Sequence, residues 1–189
     1  MELMLRLILL QGNSFNQYNK MKNENKCKKI KIVLTDVDGV LTDGGRYYSD
    51  KGEILKKFHV RDGMGINILL RNGIKTIIVT KENSKITKKW AKEMNVTKVI
   101  SNSLKKEEEL SKICKEFGVS EKEVAYIGDD VNDMKLLERV GFSAVPNNAN
   151  DLIKKHVDYI CSKDGGKGAF REISDMIFKE RFPNKKKMY

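Results

Sequence analysis

The sequence predicts an α/β fold: a doubly wound, Rossmann-like and mostly parallel sheet with helices on both faces. Two observations carry this. Short β-branched apolar runs alternate with stretches of helical periodicity, the pattern of βαβ units. The two densest acidic motifs follow directly on apolar runs, at the strand ends where an open parallel sheet holds its ligands.

In chain order, Ile30 to Thr35 is a buried first strand that ends at Asp36. Arg46 to Tyr48 and Glu53 to Phe58 flank the Gly-containing loop Ser49 to Gly52 and predict a projecting β-hairpin. Helical periodicity then covers Gly63 to Asn72, Asn83 to Met94, Leu104 to Phe117, Val131 to Val140 and Lys167 to Lys179. The strands between these are Thr76 to Thr80, Val99 to Ile100, Val124 to Ile127 and Ser143 to Val145. Pro146 and Pro183 stand where a loop or a chain end is expected.

The 189 residues are 40% hydrophobic and 33% charged, which suits one folded domain and excludes a disordered or collagen-like chain. Residues 1–30 carry six Lys/Arg against two acids, and residues 179–189 five against one, so the ends hold +8 of the formal +11. The body is close to neutral, which argues against specific nucleic-acid binding and reads the lysine-rich ends as solubilising. The expected organisation is therefore a basic, dispensable extension at 1–29, a folded domain at 30–180 and a basic tail at 181–189, with Met21 as an alternative start. No apolar run reaches the roughly 18 residues of a membrane span. Cys27, Cys114 and Cys161 are odd in number and contain no C-x-x-C pair, which argues against a disulfide framework or zinc site and for a reducing cytoplasm.

Asp36-Val37-Asp38-Gly39 closes the first strand. Two carboxylates on a tight turn can divide labour, one binding a metal and attacking, the other shuttling a proton. Gly39 lets backbone N–H groups approach an anion, although an ordinary acidic turn would look the same. Gly128-Asp129-Asp130-Val131-Asn132-Asp133 follows another apolar run. Its acids repel one another unless a cation offsets them, and together with the first pair they form a hard-oxygen site suited to Mg²⁺; helix capping by Asp129 or Asp130 is compatible with this. Thr80 ends a strand where a hydroxyl can donate to a phosphoryl oxygen, and Lys106 offers a point cation to phosphate.

Asp36-x-Asp38, Thr80, Lys106 and Gly128-Asp129-Asp130-x-x-Asp133, in this order, resemble the four motifs of the haloacid dehalogenase superfamily. With Phe58 to Ile66 and Gly165 to Glu172, the chain is similar to its small, capless phosphatases of the 3-deoxy-D-manno-octulosonate 8-phosphate phosphatase type, whose relatives include nonulosonate 9-phosphate phosphatases. The resemblance implies a Mg²⁺-dependent, homotetrameric enzyme acting on a phosphorylated sugar acid. It implies Asp36 as nucleophile and metal ligand, and Asp38 as proton donor and acceptor with its main-chain carbonyl on the metal. Asp129 would be the second side-chain ligand, Asp130 and Asp133 supporting acids, and Thr80 and Lys106 the phosphoryl holders. Arg61 and Lys167 are candidate contacts for the sugar carboxylate or phosphate, across a subunit boundary of the tetramer, with a plain surface cation as the alternative for each.

The chain departs from the family at Thr80-Lys81-Glu82, where Gly and often Arg usually follow the Thr. Glu82 resembles the Glu that some relatives acting on nine-carbon sugar acids carry there, which leans toward such a substrate, while an exposed acid at a helix start is the plainer account. A phospho-aspartate receiver domain is the non-enzymatic alternative, because it also sets acids, Thr and Lys around Mg²⁺. Asp38 and the acids after the fourth strand favour the enzyme.

Overall fold

The computed structural model describes residues 20–185, 187 and 188. What the sequence suggests for residues 1–19, Lys186 and Tyr189 lies outside the described residues. In chain order the elements are a helix through residues 20–27 (α1), β1 (Ile32–Thr35), β2 (Tyr47–Ser49), β3 (Gly52–Leu55) and α2 (Val60–Arg71). Next come β4 (Lys75–Val79), α3 (Lys85–Glu93), β5 (Lys98–Ile100), α4 (Lys106–Phe117), β6 (Val124–Ile127) and α5 (Met134–Arg139). The last are β7 (Phe142–Val145), α6 (Asp151–Lys154), β8 (Tyr159–Ile160) and α7 (Ala169–Arg181).

Six strands form one sheet in the order β5-β4-β1-β6-β7-β8, all parallel. Counted along the sheet strands alone this is 3-2-1-4-5-6, the Rossmann order, and not the 2-1-3-4-5 order of flavodoxin-like folds. Alternate strand residues feed two cores, as the period of two requires. Val33, Ile78, Ala125 and Ile127 pack with α2 and α7 through Ile66, Leu69, Phe170 and Ile173. Ile32, Leu34, Ile77 and Tyr126 pack with α4 and α5 through Leu110, Ile113 and Leu137. β2 and β3 pair antiparallel outside the main sheet as the expected hairpin, and no cap domain is inserted among the described residues.

Three elements go beyond the sequence reading. α6 spans one turn and β8 two residues, both too short for periodicity to register. α1 lies within the segment expected to be an extension, yet it buries Cys27 in the core and sets Lys26 Nζ 2.5 Å from Asp158. Arg181, expected in the tail, ends α7 and donates to the Ile30 carbonyl at 2.7 Å. The expected helix from Val131 to Val140 begins as a 3₁₀ turn over Val131–Asp133 before α5. Among the described residues no helix is long and apolar enough to cross a membrane.

Candidate active site

From the central pair β1 and β6 the chain winds one way through β4 and β5 and the other way through β7 and β8, so their carboxyl ends form the switch point of the sheet. Asp36 directly follows β1 and its N–H donates to the Ile127 carbonyl at 3.0 Å, which holds it against β6. Asp129 follows β6 by two residues, and Thr80 follows β4, with its N–H donating to Ile100 at 2.9 Å.

Beneath this edge lies a buried ion cluster. Lys106 Nζ stands 2.6 Å from both Asp36 Oδ2 and Asp133 Oδ1, with only 1% of the Lys106 side chain exposed. Tyr126 Oη donates to Asp133 Oδ1 at 2.6 Å, and the other Asp133 oxygen accepts the Asp129 N–H at 2.9 Å. Burial opposes the Lys106 charge, but the two carboxylates outweigh it and raise the pKa. Burial pushes Asp36 up to about 6 against the pull of Lys106. Asp129 is pushed up to about 8, by burial first and then by Asp36 and Asp133. Burial is the main cause of both shifts, and a divalent cation between the two carboxylates would oppose it.

Asp36, Asp129 and Asp133 each bring a carboxylate oxygen within 4.8 Å of the others. Asp133 spends both oxygens on Lys106, Tyr126 and backbone N–H groups, so it anchors the cluster, while Asp36 and Asp129 border the open pocket. Gly39, at φ +84°, gives Asp129 its space: a Cβ there would fall 1.9 Å from Asp129 Oδ2. All-oxygen donors short of positive charge fit a hard divalent cation.

Asp38 is held by the hairpin arm. Lys56 Nζ lies 2.6 and 2.7 Å from its two carboxylate oxygens and also 3.3 Å from Glu53. Arg46 Nη2 bridges Asp38 at 3.3 Å and Glu82 at 3.0 Å, and Ser84 Oγ donates to Glu53 at 2.5 Å. Sequence reasoning missed Lys56, Arg46 and Tyr126. Charged residues in a hairpin and a Tyr in a core strand carry no local signal, and only the return of the hairpin toward β1 gives them a partner.

The open cavity, about 270 Å³, is lined by Asp36, Asp38, Gly39, Arg46, Thr80, Lys81, Glu82, Asp129 and Asp130 among others. Lys106 sits behind Asp36, out of this lining. Asp130 accepts the Val131 N–H at 2.8 Å and an amide bond from Asn150 at 3.0 Å, so it caps a turn at the rim. Arg61 and Lys167 lie apart, in a separate depression with Lys163 and Arg171. Within one chain the structure does not bring them to the acids.

A doubly wound sheet of this strand order, with a carboxylate pair and a Thr on the cavity and a buried Lys behind Asp36, suits phosphoryl transfer on a hard cation. The model of haloacid dehalogenase-like hydrolases matches residues 72–173. The chain is 40% identical over 154 residues to the 3-deoxy-D-manno-octulosonate 8-phosphate phosphatase KdsC of Haemophilus influenzae, a match covering 82% of this chain and 86% of that one. It is 34% identical to the Escherichia coli K12 protein of the same name, over 80% of this chain and 81% of that one. The crystal structure of the Moraxella catarrhalis 3-deoxy-D-manno-octulosonate 8-phosphate phosphatase in complex with a magnesium ion, a phosphate ion and a KDO molecule matches at TM-score 0.81 and 35% identity, covering 84% of this chain and 91% of that one. The chain belongs to the haloacid dehalogenase-like hydrolases, in the capless branch of these phosphatases, and is a phosphoric monoester hydrolase. The receiver-domain alternative falls with the strand order.

Proposed function

We propose that the substrate is 3-deoxy-D-manno-octulosonate 8-phosphate and that Asp36 is the nucleophile. A carboxylate oxygen of Asp36 attacks phosphorus as the bond to the sugar oxygen breaks, and Asp38 gives that oxygen a proton. Asp38 then takes a proton from the water that attacks the aspartyl-phosphate, releasing phosphate and restoring Asp36. Lys106 fixes Asp36 from below, and Thr80 offers a hydroxyl to the phosphoryl group. Mg²⁺, held by Asp36, Asp129 and the Asp38 carbonyl, would neutralise carboxylate and phosphoryl charge. The observation that carries this is the meeting of Asp36, Asp38 and Asp129 on one cavity, where burial raises both Asp36 and Asp129.

Glu82 in the cavity wall favours a second reading, a nonulosonate 9-phosphate. Phosphate release from both sugar-acid phosphates, with Mg²⁺ and with EDTA, for wild type, Asp36→Asn and Glu82→Arg, tests both. We expect Mg²⁺-dependent turnover of the eight-carbon substrate and none from Asp36→Asn. Faster turnover of the nine-carbon substrate that Glu82→Arg reverses selects the second reading.

The working form is a homotetramer in a reducing cytoplasm. Tyr47, Tyr48, Ile54 and Leu55 are 50–59% exposed on a two-stranded hairpin, which is marginal without a covering surface. The thiols Cys27, Cys114 and Cys161 are all free. Light scattering at working concentration tests the assembly, and a monomer overturns it.

A further inference from the structure

We propose that Arg46 recognises the carboxylate of the substrate, with Glu82 as the positioning residue that holds it; this rests on the sugar-acid reading above. A phosphorylated sugar acid brings two anionic groups into a cavity walled by Asp36, Asp38, Glu82, Asp129 and Asp130. Mg²⁺ and Thr80 account for the phosphate. The carboxylate, at the far end of the sugar, needs a cation of its own, since a second anion among these acids is otherwise repelled.

Among the described residues two cations line the cavity, Arg46 and Lys81. The other lysines near the acids are buried behind them, with 0% of the Lys56 and 1% of the Lys106 side chain exposed. Among the described residues no hydrogen bond or ion pair fixes the Lys81 side chain, whereas Asp38 and Glu82 both fix Arg46. Arg46 comes from the hairpin arm, and its side chain remains 31% exposed. Its Nη2 serves both Glu82 at 3.0 Å and Asp38 at 3.3 Å, while Nη1 lies 3.4 Å from Tyr48 Oη. A guanidinium has five N–H donors in a planar fork that matches a carboxylate, so donors remain for a ligand. Its contact to Asp38 is the exchangeable one, because Lys56 already bonds both Asp38 oxygens at 2.6 and 2.7 Å. The shorter bond to Glu82 keeps the fork at the cavity while a substrate carboxylate replaces Asp38.

The test compares the sugar-acid phosphate with its C1 methyl ester, which keeps the phosphate and removes the carboxylate charge. Wild type should favour the acid over the ester in kcat/KM by about 10- to 100-fold, the scale of a charged hydrogen-bonded contact, mainly through KM. Arg46→Ala should erase this preference and Arg46→Lys should restore part of it. Lys81→Ala should lower both substrates alike. A disturbance of Asp38 alone would lower kcat for acid and ester equally, so an unchanged preference in Arg46→Ala overturns the inference while the sugar-acid reading stands. Wild type that releases phosphate from neither substrate overturns both.

Discussion

Lys56 straddles the carboxylate of Asp38, 2.6 Å from one oxygen and 2.7 Å from the other, although 18 residues separate the two in sequence. The ammonium is fully buried and Asp38 is partly open, so the cation is the fixed partner. In the proposed reaction Asp38 presents an oxygen to the leaving group and then to water, and Lys56 limits where that oxygen can be.

Lys56→Met removes this restraint with little change in volume. We expect kcat to fall about 10- to 100-fold, the range of one lost charge-assisted contact, with Mg²⁺ affinity nearly unchanged. Steady-state kinetics and a Mg²⁺ titration check this. A comparable loss of Mg²⁺ affinity would move Lys56 from proton transfer to metal binding.

Lys106→Met leaves two carboxylates facing each other in the interior, since Asp133 is fully buried and Asp36 nearly so. Breaking a buried pair in this way costs roughly 3–5 kcal/mol. Denaturant unfolding should show a loss of that size, and Tyr126→Phe, which removes a bond to Asp133 and a longer one from Lys106, about 1–2 kcal/mol.

The acids make Mg²⁺ binding pH-dependent. Without metal, Asp36 titrates near 6 and Asp129 near 8, against an ordinary 3.8. Both bind protons more tightly folded than unfolded, so their contribution to stability is full below the ordinary value and is lost as pH rises through 6 and then 8. Mg²⁺ takes the place of those protons. The melting-temperature gain from Mg²⁺ over EDTA should therefore grow between about pH 6 and about pH 8.5, with proton uptake by the buffer on binding. A gain that is flat across this range would mean the metal does not touch these carboxylates.

Gly39→Ala places a methyl group 1.9 Å from Asp129 Oδ2, at a φ of +84° that disfavours any side chain. Asp129 has to move. We expect at least a tenfold loss of Mg²⁺ affinity and about 1–2 kcal/mol of stability, read by calorimetry and denaturation. The loop cannot yield freely, because Gly165 packs so close that its own Cβ would meet the Gly39 carbonyl at 1.7 Å.

What the sequence by itself determined is local or periodic. Alternating apolar runs and helical stretches identify the sheet strands from β1 to β7 and helices α2 to α5 and α7. An acid directly after an apolar run has to emerge at the carboxyl end of a strand, which is how Asp36, Asp38 and Asp129 are legible without coordinates. Thr80 is legible for the same reason, and it lines the cavity.

The tertiary structure alone decided what each charge faces. Lys106 reads as a phosphate holder in sequence but lies behind Asp36, tied to Asp133 and Tyr126. Arg61 and Lys167 read as substrate contacts but share a different depression. Arg46 and Lys56 carry no signal until the hairpin folds back over β1. The physical reason is one of range. Strand ends are set by neighbours in sequence, whereas an ion pair is set by which distant segments the sheet order brings within a few ångströms, and only at that distance and under burial does a charge acquire a partner.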